Sequence, residues 1–179
     1  MTTAMTHAAG RPQTNEYAPY YERYISLVSG DDIDHILSAQ LPDTLALLAR
    51  FTEQQGDYRY APGKWTVKEL LGHVNDAERV FAYRALRIAR ADQTPIEGFE
   101  QDDYVKNGPF AKVSLAALIE EFAHIRSATV SLFRNLTGDE WLRRGLANKM
   151  EVTVRGIGYI IAGHELHHRR ILEEKYLPK

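Results

Sequence analysis

The 179-residue chain contains no cysteine. Disulfides, zinc–thiolate sites, iron–sulfur clusters and a cysteine nucleophile are excluded together. Long apolar runs are also lacking. The longest apolar-or-glycine stretch, Gly156 to Gly163, is too short to span a bilayer, so no membrane partner is expected. There is no basic excess either: 22 Lys and Arg stand against 24 Asp and Glu, a net charge of −2. A general nucleic-acid binder would carry the opposite balance, so no nucleic-acid partner is expected. The first residues hold no apolar segment of the kind a secretory signal requires, and a cytoplasmic location is the expectation.

What remains is ordinary globular composition, 44% hydrophobic and 26% charged, on a length that suits one domain. Residues 1–18 are small, polar and aperiodic. They read as a flexible N-terminal tail, with Tyr17, Tyr20, Tyr21 and Tyr24 as the residues able to tack it down.

The rest alternates helical patterns with polar connectors. Ile33, Ile36, Leu37, Leu41, Leu45 and Leu48 recur at helical spacing behind Asp31 or Asp32 as cap. Pro42 falls inside that pattern and should kink or split the helix. Thr66 and Glu69 form a capping box for a second helix to about Ala91, with Leu70, Val74, Ala77 and Phe81 inward. A third starts near Ser114, carrying Leu115, Leu118, Ile119, Phe122, Ile125, Val130 or Thr129, Phe133 and Leu136. A second capping box at Thr137 and Glu140 opens a short helix ending at Gly145. The fourth long helix runs from near Thr153 to about Lys175, and a strand is conceivable only around Met150–Val152. The fold class is therefore all-α, a four-helix bundle. The connector of residues 92–113 can reach ~73 Å when extended, nearly twice the ~39 Å of the second helix. It can cross the whole bundle, which favours an up-down-down-up path with helices two and three parallel.

The seven histidines separate by position. Ile157, Ile161, His164, His168 and Ile171 are spaced four, three, four and three apart, a buried seam with two imidazoles in its middle. His73 falls on the corresponding seam of the second helix, ~10 Å from its start. If the fourth helix is antiparallel to the second, His168 and His164 lie ~10 and ~16 Å deep and bracket it. Three neutral imidazoles around one point suit a divalent metal and leave positions open for water or substrate. The competing reading is three hydrogen-bonded core histidines. His167, about 60° around the helix from His164, could replace His168. His35 and His124 lie off the apolar stripes, and His7 lies in the tail.

Residues 164–168 also match H-E-x-x-H, in which the glutamate serves zinc proteases as general base. Too little chain follows for a third ligand, and no strand is available to align a peptide, so a protease is discounted. Glu165 remains the catalytic candidate, able to orient a ligand or take a proton; the alternative is a solvated helix glutamate. Asp76, one turn beyond His73, could accept a ligand N–H or pair with Arg79 along the helix. Gly156, Gly158 and Gly163 point to close helix approach or room for a ligand.

The stretches from Tyr60 to His73, Asp76 to Arg87, Gly98 to Tyr104 and Gly163 to His168 together resemble the DinB/YfiT-like superfamily across residues 25–178. The resemblance implies a single helical-bundle domain over 19–179 and a divalent metal held by His73, His164 and His168. Pro42 departs from the pattern. Relatives include metal-dependent transferases and isomerases using bacillithiol, mycothiol or glutathione, and proteins described only as metal-dependent hydrolases.

Three functions follow as expectations. One is a thiol S-transferase joining a low-molecular-weight thiol to an electrophile. The absence of cysteine permits it, because the thiol arrives with the cosubstrate. The second is a hydrolase using metal-bound water with Glu165 as base. The third is a non-catalytic metal or small-ligand binding bundle. A lone basic side chain in the pocket would favour the first, Glu165 within reach of the metal the second, and a sealed site the third. Zinc or nickel is expected, with iron or manganese also compatible. A homodimer is expected from the resemblance and from Tyr17, Tyr20, Tyr21, Phe99, Tyr104 and Phe110.

Overall fold

The computed structural model describes residues 10–177. Four long helices carry the fold: α1 (Ile33–Leu48), α2 (Val67–Ala89), α3 (Leu115–Arg134) and α4 (Val154–Ile171). Each begins where a short oxygen-bearing side chain can satisfy a free helix N–H. The Asp32 carboxylate accepts from the His35 amide at 3.1 Å. Thr66 and Glu69 form the reciprocal box, at 3.1 and 2.7 Å. Ser114 and Thr153 cap α3 and α4 through their hydroxyls alone, accepting from the Ala117 and Gly156 amides.

Pro42 does not split α1. The helix continues through it, and the ring faces solvent. α2 ends at Ala89, two residues before its expected limit, because Ala91 takes φ +61°. α4 gives way after Ile171 to a π-helical turn, Leu172–Tyr176.

The all-α expectation needs one correction. Strands β1 (Arg144–Ala147) and β2 (Met150–Thr153) pair antiparallel, with Arg144 opposite Thr153 and Ala147 opposite Met150. Between them Asn148 and Lys149 both take positive φ, which gives the tight reversal of a two-residue hairpin. The helix before it stops at Leu142, and Gly145 lies within β1. Lacking the usual turn glycine, the hairpin had no strong mark in the sequence.

The connector after α2 is stitched down. Ile96 bonds across to Leu146 and Asn148, adding a bridge to the hairpin. A helix (Gln101–Asn107) and a 3-10 turn (Phe110–Lys112) follow, and the Phe110 ring packs where a side chain on Gly72 would have to go. α3 then starts beside the first turns of α2. Asn75 bonds to Leu118 and Glu121, and Glu78 bonds to Arg126, so the contacts ascend together along both helices.

The apolar core falls into two clusters. One contains Leu37, Ala77, Phe133 and Ile161, the other Leu47, Val74, Phe122 and Leu172. Between them lies a buried polar belt: Gln40 and Thr44 on α1, Glu78 on α2, Arg126 on α3, and His164, Glu165 and His168 on α4.

The expected tail boundary at residue 18 is too late for the described part. Glu16 is buried, accepts from the Arg155 Nε at 3.0 Å and from the Thr153 hydroxyl at 2.8 Å, and anchors the segment to the start of α4. Tyr17 is buried, and Arg11 donates to the Ile25 carbonyl at 3.0 Å. Residues 1–9, including His7, lie outside the described residues.

Candidate metal centre

α2 and α4 bring His73, His164 and His168 together at the buried belt. The Nε2 atoms of His73 and His164 lie 3.0 Å apart, and those of His164 and His168 3.1 Å. One ligand atom from each falls within 4.8 Å of the others, and all three side chains are buried. The three rings meet edge to face, with centroids 4.5–5.0 Å apart.

Three features of the donor set fit a divalent ion. All three point the same ring nitrogen at one locus. Two nitrogens each ~2.1 Å from a shared ion and near a right angle would themselves sit about 3 Å apart, as these do. Burial also holds the imidazoles in the neutral, ligating form. His73 is lowered to about 4, chiefly by desolvation, while His164 and His168 fall well below 6.5 through burial and mutual repulsion. The Nδ1 of His168 is buried without a partner.

Around the cluster, Trp65 packs on His73 at 4.9 Å between centroids, and Tyr24 stands edge-on to His164 at 5.3 Å. His167 is half-buried against Tyr24 and takes no part in the cluster. His35 and His124 are exposed.

Glu165 does not occupy the position expected of a base. One carboxylate oxygen accepts from the Thr44 hydroxyl and the other from Arg126 Nη1 at 2.6 Å. Arg126 in turn grips Glu78 through Nε and Nη2 at 2.9 and 2.8 Å. Adjacent residues on a helix diverge by about 100°, so His164 and Glu165 serve different neighbours. Asp76 takes its alternative partner as well, Arg79 at 3.6 Å, and burial raises its pKa. The small residues of α4 serve close approach. A side chain on Gly163 would collide with the Tyr24 carbonyl, and one on Gly156 with the Glu16 carbonyl.

The cluster opens onto a cavity of about 420 Å³, reached by His73 and His164. Tyr21, Tyr24 and Phe81 form aromatic wall, and Phe99, Asn148 and Met150 come from the connector and hairpin. Arg84 also lines it. The sequence reading missed this arginine. Its signal was there: His73, Ala77, Phe81 and Arg84 are spaced four, four and three apart, which puts a cation on the inward face of α2.

A protein of Bacillus pumilus (strain SAFR-032) named "Putative metal-dependent hydrolase" is 25% identical over 134 residues, 73% of this chain and 75% of its own. Two solved Bacillus subtilis structures are similar. YfiT, described as a probable metal-dependent hydrolase with an unusual four-helix bundle topology, superposes with a TM-score of 0.68 at 16% identity, over 96% of this chain and 94% of its own. A DinB-like protein, YjoA, gives 0.55 at 19%, over 82% and 95%. A mycothiol-dependent maleylpyruvate isomerase gives 0.63 at 13%, over 76% of this chain and 57% of its own. Residues 36–172, from within α1 to just past α4, match the profile of the DinB superfamily, and the chain belongs to that family.

Proposed function

We propose that this protein is a divalent-metal-dependent enzyme in which His73, His164 and His168 hold the ion, and that it transfers a low-molecular-weight thiol to an electrophile. The observation that carries the reading is the convergence of three neutral imidazoles at the wall of an open cavity, while the candidate base, Glu165, is consumed by Arg126 and Thr44. A sealed site would have spoken for a storage or structural role. A free carboxylate at the cluster would have spoken for hydrolysis.

A bound divalent cation supplies one thing here: it lowers the pKa of a coordinated thiol, so thiolate is present at neutral pH. The chain's own residues do the rest. The imidazoles stay unprotonated because they are buried. Tyr24 and Phe81 shield the cluster from bulk water and offer apolar area to the electrophile's carbon frame. Arg84 is a cation in the pocket, the feature expected for a thiol cosubstrate bearing carboxylates.

The hydrolase reading keeps a place because of the name of the Bacillus pumilus relative. In this chain it would need a base other than Glu165. The reading also includes the up-down-down-up path, zinc or nickel as the ion, and a homodimer. Of the aromatics that suggested self-association, Tyr17 and Phe110 are spent in the core, whereas Tyr20 and Tyr104 stay exposed. Sedimentation at micromolar concentration tests the dimer.

The test of function is elemental analysis of the purified protein, then a panel of thiols with monochlorobimane. The sulfur–carbon bond forms, chloride leaves and the thiol proton goes to solvent. Turnover that requires metal and His164 supports transfer. Metal-dependent ester cleavage with no thiol conjugation would establish the hydrolase instead.

A further inference from the structure

Four cationic side chains are buried among the described residues: Lys68, Arg84, Arg126 and Arg155. Three of them meet carboxylates. Lys68 pairs with Glu53 and Asp57, Arg126 with Glu78 and Glu165, and Arg155 with Glu16. Arg84, only 3% exposed, forms no ion pair with any described carboxylate, and it is the one of the four that lines the cavity. Its Nη2 donates to the Glu97 carbonyl at 3.1 Å. The Phe81 and Phe99 rings flank its guanidinium, 5.6 and 5.9 Å away. Its Nε is buried and has no acceptor.

A buried guanidinium without a counter-charge is costly, and neutral acceptors and ring faces offset only part of that cost. Every other buried cation among the described residues is paired with a carboxylate, whereas this one is left open where a ligand can reach it. We infer that Arg84 is an anion-recognition site, and that the substrate carries a carboxylate which pairs with it. A guanidinium edge presents parallel N–H donors matched to the two oxygens of a carboxylate. Glu100 and Asp102 also line the cavity and disfavour a dianion such as phosphate.

His73 and Arg84 are eleven residues apart on α2, or about 16 Å of helix rise and three turns, so they lie on nearly one face. Arginine reaches back over part of that span. The ligand class is therefore an elongated molecule, with the carboxylate at the Arg84 end, the reacting group at the histidine end, and carbon framework beside Phe81 between them. This inference rests on the reading of the cavity as the substrate site.

The probe is 3-phenylpropionate, compared with its uncharged amide and with inorganic phosphate, by calorimetric titration. The protein is used as purified and again after EDTA dialysis. The carboxylate should bind about tenfold or more tightly than the amide. Arg84→Gln should remove that preference, Arg84→Lys should keep part of it, and His35→Ala, exposed and outside the cavity, should leave it intact. Phosphate should bind no better than the amide. Persistence after EDTA separates this site from the metal: loss of metal dependence elsewhere would overturn the enzyme reading and leave the anion site standing. Equal binding of carboxylate and amide by the wild type would overturn the anion site without recourse to any variant. So would no binding at all, phosphate binding as tight as carboxylate, or a preference that vanishes with the metal.

Discussion

Glu165 Oε2 lies 2.6 Å from Arg126 Nη1, in a part of the bundle where Arg126 has no solvent exposure. Arg126 holds a second carboxylate, Glu78, at 2.8 Å; burial alone would lower its pKa, and the two carboxylates together drive it up. It also donates to Gln40 on α1 at 3.2 Å, so one guanidinium ties all four helices together. Taking out the cation would strand two buried carboxylates. Arg126→Met is expected to cost about 3–5 kcal/mol. Adding Glu78→Gln and Glu165→Gln should recover much of that loss, because the stranded charges go with it. Urea unfolding of the single and triple variants checks both. A single variant as stable as wild type would mean the carboxylates are not charged there.

Much of this was legible because the caps and apolar periods are local. Thr66 with Glu69, Ser114, and Thr153 mark helix starts that the structure keeps to the residue. The seam spacing also singled out His73, His164 and His168. The failures were long-range. H-E-x-x-H gave Glu165 a role beside metal, yet the sequence does not show that Arg126, 39 residues upstream, waits across the helix. Arg84 was overlooked because an arginine in a helix ordinarily reads as surface. Its meaning depends on no described carboxylate folding against it, which is settled by long-range packing and not by the local pattern.

Gly163 shows how closely the N-terminal segment lies on α4. A Cβ placed there would collide with the Tyr24 carbonyl oxygen, and backbone cannot swing aside as a side-chain tip can. In an open helix Gly→Ala would stabilise. Here Gly163→Ala is expected to destabilise by about 1–3 kcal/mol and to move Tyr24 away from His164. Thermal unfolding gives the first effect. A change in tyrosine fluorescence or in the His164 ring resonances gives the second.

Without metal, the three histidines should make stability depend on pH. In the unfolded chain each takes up a proton as pH falls through about 6.5. In the folded chain burial holds His73 neutral to about 4, and His164 and His168 well below 6.5. The unfolded state therefore binds more protons below 6.5. Stability is complete above that pH and is lost progressively from 6.5 towards about 4. Urea midpoints in EDTA, followed across this window, measure the loss. His164→Leu removes one titrating site, so its slope must be shallower than that of the wild type.

A bound metal ion offsets part of that pH-dependent loss. A ligand that binds the folded chain and not the unfolded one stabilises it by mass action. Excess zinc or nickel at pH 7.5 should thus raise the melting temperature of the wild type. His73→Ala, His164→Ala and His168→Ala should gain little, since two imidazoles hold an ion far more weakly than three. His167→Ala should gain as the wild type does, because that ring packs on Tyr24 outside the cluster. Protons compete only with imidazoles that can accept them. Metal retention on acidification should accordingly extend below the 6.5 of a free histidine, towards the value of about 4 held by His73. If His164→Ala gained as much from added metal as the wild type, the cluster would be a set of packed core histidines, and the ion would bind elsewhere.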